Sequence, residues 1–266
     1  MKTLTVSLVI STYNRPDALE ACLESVRRQS VLPIEVIIAD DGSTEETRQT
    51  IERLAGGFPV PILHVWQEDD GFRLAKIRNR AMACAKGEYI VQTDGDIVMA
   101  NDFIADHIRL ARRNSYAKGV RVRLEKEISD AICRQPRRKC PTLFSKGLMN
   151  RHKALRFIPL AHWFACHFKK GKAYGLGCNM AFFKTDLLKV NGYDEAFEGW
   201  GREDDDIAHR LYRAGVAMRD IRFAAVCFHL WHKENSRDDM KENMRRCRER
   251  DETGVIRAER GIDQYL

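Results

Sequence analysis

No stretch of this sequence approaches the roughly 18 consecutive apolar residues of a membrane span. The apolar run at 4–10 is short and broken by Thr5 and Ser7. It does not resemble a secretory leader core either, so a cytoplasmic chain is expected, soluble or peripheral on the inner membrane face. Cysteines occur at 22, 84, 133, 140, 166, 178, 227 and 247, yet none forms a CxxC pair. That removes the common zinc and redox spacings and leaves reduced thiols as the reading. No G-x-G-x-x-G follows the first apolar run, which argues against a nicotinamide-dependent enzyme. Internal repeats and low-complexity tracts are lacking as well.

What is present is a chain of 266 residues, 44% apolar, long enough to bury a full core and fold alone. A formal charge of +7 points to an anionic partner, and much of the excess lies between Lys118 and Lys172, including Arg137, Arg138, Lys139, Lys169, Lys170 and Lys172. Two readings of that stretch stand side by side. It is a solvated basic face, or a surface that meets phosphates of an acceptor or of anionic lipid.

Apolar runs at 4–10, 34–39, 61–66 and 89–92 read as buried strands, and helical periodicity fills the gaps from Pro16, at 45–54 and at 74–84. Alternation of this kind predicts an α/β fold with a mostly parallel central sheet flanked by helices. Ligands of such sheets sit outside the carboxyl ends of the strands. There the sequence places residues 12–15, Asp40-Asp41 and Asp94-Gly95-Asp96. Further along, a strand is expected at 179–183, a helix at 204–214, a strand at 223–230, and charged helix beyond Ser236. Residues 123–172 are weakly periodic and read as an inserted or mobile region.

The chemistry concentrates in a few clusters. Asp94 and Asp96 flank a glycine that lets the backbone approach a ligand, and their oxygens suit Mg2+ or Mn2+ bridging to a diphosphate. An ordinary turn would carry the same triplet. Asp41 could accept bonds from a base or ribose, or cap the following helix. Arg78 could offset diphosphate charge, or lie on the surface. His229 and His232 could complete a metal shell, but both reach one ion only if the chain turns after Leu230. Gly199-Trp200-Gly201-Arg202 leads into the carboxylates Glu203, Asp204, Asp205 and Asp206. A helix N-terminus stabilises negative charge, so a carboxylate there can stay ionised and serve as a base. A plain acidic first turn needs neither the tryptophan nor both glycines.

These residues resemble the family-2 nucleotide-sugar glycosyltransferases of GT-A fold. The resemblance rests on VSLVISTYNRP, VIIADDGS, KIRNRA and DGD in the first half. The segment GLGCNMAFFKTDLLKVNGYDEAFEGWGREDDDIAHRL is similar to the acceptor-binding segment of β-1,4-galactosyltransferases and bacterial chondroitin-type polymerases. It implies a nucleotide-sugar-binding half at 1–122, the basic insertion at 123–172, an acceptor-binding and catalytic segment at 173–235 and a charged helical tail at 236–266, together one catalytic domain. It also implies a UDP-sugar donor, a glycan or lipid-linked glycan acceptor and Mn2+ or Mg2+; peripheral contact with anionic membrane is an expectation of the basic stretch, and no nucleic-acid partner is expected.

Carried over by position, the resemblance puts Thr12 and Arg15 at the nucleotide, Asp41 at the uracil or ribose, and Arg78 near the diphosphate. Asp94 would face ribose and metal, and Asn179 the donor sugar. Asp96 would bind the metal directly. In galactosyltransferases a methionine and a histidine, two and five residues after a cysteine, complete that shell; here they correspond to His229 and His232 after Cys227, with histidine in place of methionine. Trp200 would pack on the acceptor ring, Glu203 would hold its hydroxyl and Asp204 would take the proton. Related retaining enzymes lack an aspartate at the Asp204 position, so the resemblance favours inversion. A retaining transferase and a non-catalytic sugar-binding module are the alternatives.

Overall fold

The computed structural model of the chain describes residues 4–167, 173–233 and 239–266. The basic residues Lys169, Lys170 and Lys172 and the start of the expected tail at 236–238 lie outside them. In the first half β1 (Val6–Thr12), α1 (Pro16–Arg27), β2 (Glu35–Asp40), α2 (Glu45–Ala55), β3 (Ile62–Trp66), α3 (Leu74–Cys84) and β4 (Tyr89–Asp94) alternate as expected. Then come β5 (Ile97–Met99), α4 (Phe103–Leu110), β6 (Ser115–Lys118), β7 (Val122–Arg123), α5 (Lys126–Arg134) and α6 (Ile158–His167). The remainder holds β8 (Met180–Phe183), α7 (Lys184–Lys189), α8 (Glu203–Arg213), β9 (Ala217–Asp220), β10 (Cys227–His229) and α9 (Met240–Thr253).

Seven strands form the main sheet in the order β3-β2-β1-β4-β8-β6-β9, and β5-β10-β7 form a small second sheet. β1, β2, β3 and β4 pair in parallel, whereas β8 runs antiparallel to both β4 and β6. All of β1 and β2 is buried, which is why these strands read as continuous apolar runs rather than alternating ones. Leu8, Leu19, Leu23 and Val36 pack one face of the sheet, and Val9, Ile37, Ile77 and Met82 the other. Both faces are thus covered, and the carboxyl edge is left for ligands. No described helix is long and apolar enough to cross a membrane.

One expectation needs correction, and two features were not foreseen. The strand expected at 223–230 shrinks to Cys227–His229, because Phe223 and Ala225 adopt φ of 69° and 45°, a turn geometry that no strand tolerates. The described residues 123–167 contribute to the core: Ala161 and Ala165 of α6 enter the main cluster, and Ile132, Leu148 and Ala154 build a third cluster with β7 and β10. The pairing strand β9 was not anticipated; its residues are few and its partner β6 lies about a hundred positions away in sequence. The charged α9 packs on α8, and Ile262 beyond it is fully buried against the second face of the sheet.

Candidate active site

The parallel register aligns Thr12 with Asp40 and Ser11 with Asp94, so the strand ends meet at one edge. Gly95 folds back there: its N–H donates to the Ser11 carbonyl at 2.7 Å, and a Cβ on it would sit 3.1 Å from both that oxygen and Thr12 Oγ1. A larger residue would press on Thr12 and the Ser11 carbonyl by a few tenths of an ångström. The chain then enters β5, which pairs with β10 so that Ile97 faces His229, while the Leu230 N–H donates to the Asp96 carbonyl at 2.9 Å. β10 ends at His229, so the turn required for joint action occurs. His229 Nε2 and His232 Nε2 lie 3.4 Å and 3.2 Å from Asp96 Oδ2, with ring centroids 5.1 Å apart.

Asp96, His229 and His232 form a cluster whose ligand atoms all lie within 4.8 Å of one another, and the buried Asp96 Oδ1 has no hydrogen-bond partner. One carboxylate and two imidazoles with an orphaned oxygen fit a divalent transition ion. Burial pushes His229 down to about 4, leaving the neutral ring that a metal requires. Burial alone would raise Asp96, but its bond with His232 and the charges of His229, His232 and Arg15 bring it below the ordinary range.

The acidic helix start is the second half of the site. Gly199 and Gly201 take φ of 72° and 100°, so both glycines beside Trp200 are required by the backbone, and Arg202 at the helix entrance is itself left-handed at 78°. Such strain in a non-glycine residue is characteristic of functional loops. Trp200 is half-buried in this loop. Asp204 Oδ1 accepts from the Tyr193 hydroxyl at 3.1 Å, and its Oδ2 from the Gly177 N–H at 2.7 Å. A Cβ on Gly177 would come within 2.5 Å of that oxygen. Asp205 binds the Gly175 N–H and Arg202, and Asp206 is spent on the buried Arg210, so of the four carboxylates Glu203 and Asp204 face the site.

Arg78 joins the halves. It is 1% exposed and donates to Ser11 Oγ at 3.2 Å, Asp94 Oδ1 at 3.1 Å, Asp204 Oδ1 at 3.0 Å and Glu203 Oε1 at 3.4 Å. A place near the diphosphate was expected of it, and its nitrogens are engaged by oxygens of both halves. Burial, offset by Arg78 and reinforced by Asp96 and Asp204, raises Asp94 to about 6. Glu203 is pushed to about 8, by burial first and the Asp204 charge next, and its buried Oε2 has no partner.

The residues expected at the nucleotide lie along the same strand ends. Thr12 Oγ1 is buried without a partner. Arg15 pairs with Asp17 at 3.0 Å and also faces the Asp96 charge. Asp41 accepts from Gln67 Nε2 at 2.5 Å and the Arg73 N–H at 2.9 Å, and burial lifts it to about 6. Asn179 is the exception. It is fully buried, its amide donates to the Val120 and Ala225 carbonyls at 2.9 Å, and its oxygen faces His107 at 3.0 Å. Its side chain braces the strands around β10. Sequence reading overlooked Tyr193 and Gly177, both inside the quoted second segment, because neither carries charge that would mark it.

An α/β sheet with a paired-carboxylate turn, two imidazoles and an acidic helix at its carboxyl edge is what the comparisons with known proteins meet. The glycosyl transferase family 2 model matches residues 7–166, and one described as the N-terminal domain of galactosyltransferase matches 161–233. The chain belongs to glycosyl transferase family 2. It is 28% identical over 232 residues to a validoxylamine A glucosyltransferase of Streptomyces hygroscopicus subsp. limoneus, covering 80% of this chain and 49% of that protein. With the chondroitin synthase of Escherichia coli it shares 27% identity over 244 residues, 84% of this chain and 34% of the relative. It thus spans half or less of the length of these relatives. Among solved structures, the Pyrobaculum calidifontis mannosyltransferase PcManGT with GDP-Man and Mn2+ matches at TM-score 0.61 and 21% identity, over 88% of this chain and 59% of that one. GalNAc-T7 with UDP, GalNAc and Mn2+ matches at TM-score 0.65 and 16% identity, over 93% and 48%. The fold is GT-A, as the resemblance implied.

Proposed function

We propose that this glycosyltransferase is inverting and metal-dependent, moving a hexosyl or N-acetylhexosaminyl group from a UDP-sugar to a hydroxyl of a glycan or lipid-linked glycan acceptor. The observation that carries the reading is the Arg78 bridge, which holds the donor-side Asp94 and the acceptor-side Asp204 on one guanidinium. Direct displacement at an anomeric carbon needs a base on the attacking hydroxyl and positive charge at the departing diphosphate, from opposite sides.

In this reading Trp200 packs on the acceptor ring, the unpartnered Oε2 of Glu203 engages its hydroxyl, and Asp204 receives the proton. Tyr193 and the Gly177 N–H fix the Asp204 carboxylate in place, so it need not reorganise as the proton moves. Thr12, Arg15 and Asp41 bind the nucleotide. Asp96, His229 and His232 hold the metal, which when bound supplies Lewis-acid charge to the diphosphate. Two imidazoles in the set favour Mn2+ over Mg2+, an ion that prefers oxygen ligands throughout. The aspartate at position 204 also favours inversion over retention. Product NMR tests it: an α-linked UDP-sugar that reacts should yield a β-glycoside, and an α-glycoside would overturn the inverting assignment.

A further inference from the structure

Four cations flank the metal-ligating cluster, and among the described residues none is held in a salt bridge. Lys118 ends β6, Arg121 precedes β7, Arg123 lies in β7, and Lys153 belongs to the short helical turn Arg151–Ala154 that packs on β7. The parallel pairing of β7 with β10 sets Arg123 opposite His229. Their proximity is felt electrically: burial first, then repulsion from Lys118, Arg121 and Arg123, lowers the Lys153 ammonium.

Among the described residues none of the four makes a salt bridge. Lys118 donates to the Tyr174 phenol at 2.8 Å, and Arg121 makes one bond, to Cys178 Sγ at 3.5 Å. The carboxylate nearest Lys118, Asp220, is held by Arg222 at 2.5 Å. Arg123 is exposed and Lys153 half-buried. Uncompensated like charges kept this close are costly unless a ligand neutralises them.

Charge balance separates the donor from a second anion. A UDP-sugar brings two negative charges on its diphosphate, a divalent ion two positive, and Asp96 one negative, while Asp94 and Asp204 share the single charge of Arg78 and leave one more negative. Arg121 faces both Asp94 and Asp96 and offsets one of the two. Of Lys118, Arg123 and Lys153, one closes the sum and two remain in excess. They border the acceptor side, since the Tyr174 that meets Lys118 leads directly into Gly175 and Gly177, whose N–H groups hold Asp205 and Asp204.

We propose that Arg123 and Lys153, backed by Lys118 and Arg121, bind an anionic group of the acceptor, a carboxylate or phosphate, so that the acceptor is an acidic glycan rather than a neutral one. The proposal rests on the transferase reading above. Guanidinium forks match both oxyanions.

Calorimetry on the full chain with UDP and Mn2+ saturating tests this with three probes: a tetrasaccharide of alternating hexuronate and N-acetylhexosamine, its carboxyl-reduced neutral twin, and a glycerol-phosphate oligomer. At least one anionic probe should bind about tenfold more tightly than the neutral twin, and Arg123→Ala with Lys153→Ala should erase that advantage while UDP affinity stays unchanged. Which anionic probe responds distinguishes carboxylate from phosphate. Equal binding of all probes, or a loss of UDP affinity in the variant that matches the loss of probe, would overturn the proposal. If the anionic preference follows the prediction but no UDP-sugar is ever turned over, the transferase reading fails and the anion site stands.

Discussion

The Asp94-Gly95-Asp96 turn is shaped by strands on either side, whereas Glu203 and Asp204 are shaped by a helix entrance tied down by loops. In the turn, sheet register alone brings Ser11 to Asp94 and His229 to Ile97, one residue from Asp96. At the helix entrance the partners come from scattered places: Gly177, Tyr193 and Arg78 all converge on Asp204. The charge environments differ in the same way. Imidazoles and Arg15 draw Asp96 down, while burial beside another carboxylate drives Glu203 up. Identical acidic chemistry is thus tuned in opposite directions, which under the proposed function suits a cation in one region and a hydroxyl proton in the other.

The sharpest way to break this division of labour is Asp204→Asn. Transfer should fall by about 10³-fold while Mn2+ and UDP affinities stay within about twofold, because general-base loss affects the chemical step alone. Assays of transfer beside equilibrium titrations of UDP and Mn2+ check it; a parallel loss of metal affinity would mean that the two regions do not divide the work. A smaller effect concerns pH. Glu203 is raised from 4.5 to about 8 in the folded chain, so the native state binds the extra proton between those values and stability falls as pH rises through that window, levelling above it. Glu203→Gln should flatten this decline in Tm between pH 4.5 and 8. An unchanged slope would place the titrating group elsewhere.

The two regions also differ in how legible they were. Parallel strands buried on both faces announce themselves as apolar runs, so β1 to β4 and the crevice at their ends were readable from local pattern. β6 and β9 are four residues each, and among the described residues β9 pairs only with β6, which itself lies against β8, pairings that no local window contains. The second region was found through motif, and motif gives residue identity without direction. Asn179 shows the cost: the position was noticed, but its amide faces inward to Val120 and Ala225. Arg78 shows the converse, since its role as a bridge depends on Glu203 and Asp204 more than a hundred residues away.

That bridge is the joint on which the account turns, and a double-mutant cycle of Asp94→Asn and Asp204→Asn, read by denaturant unfolding, tests it most directly. Each single change removes an attraction to Arg78 but relieves repulsion between the carboxylates, and only the double change leaves the buried guanidinium with neither aspartate. The double variant should therefore lose about 1 kcal/mol more stability than the sum of the singles. Losses that add to within about 0.3 kcal/mol would show two acidic clusters that do not share a site.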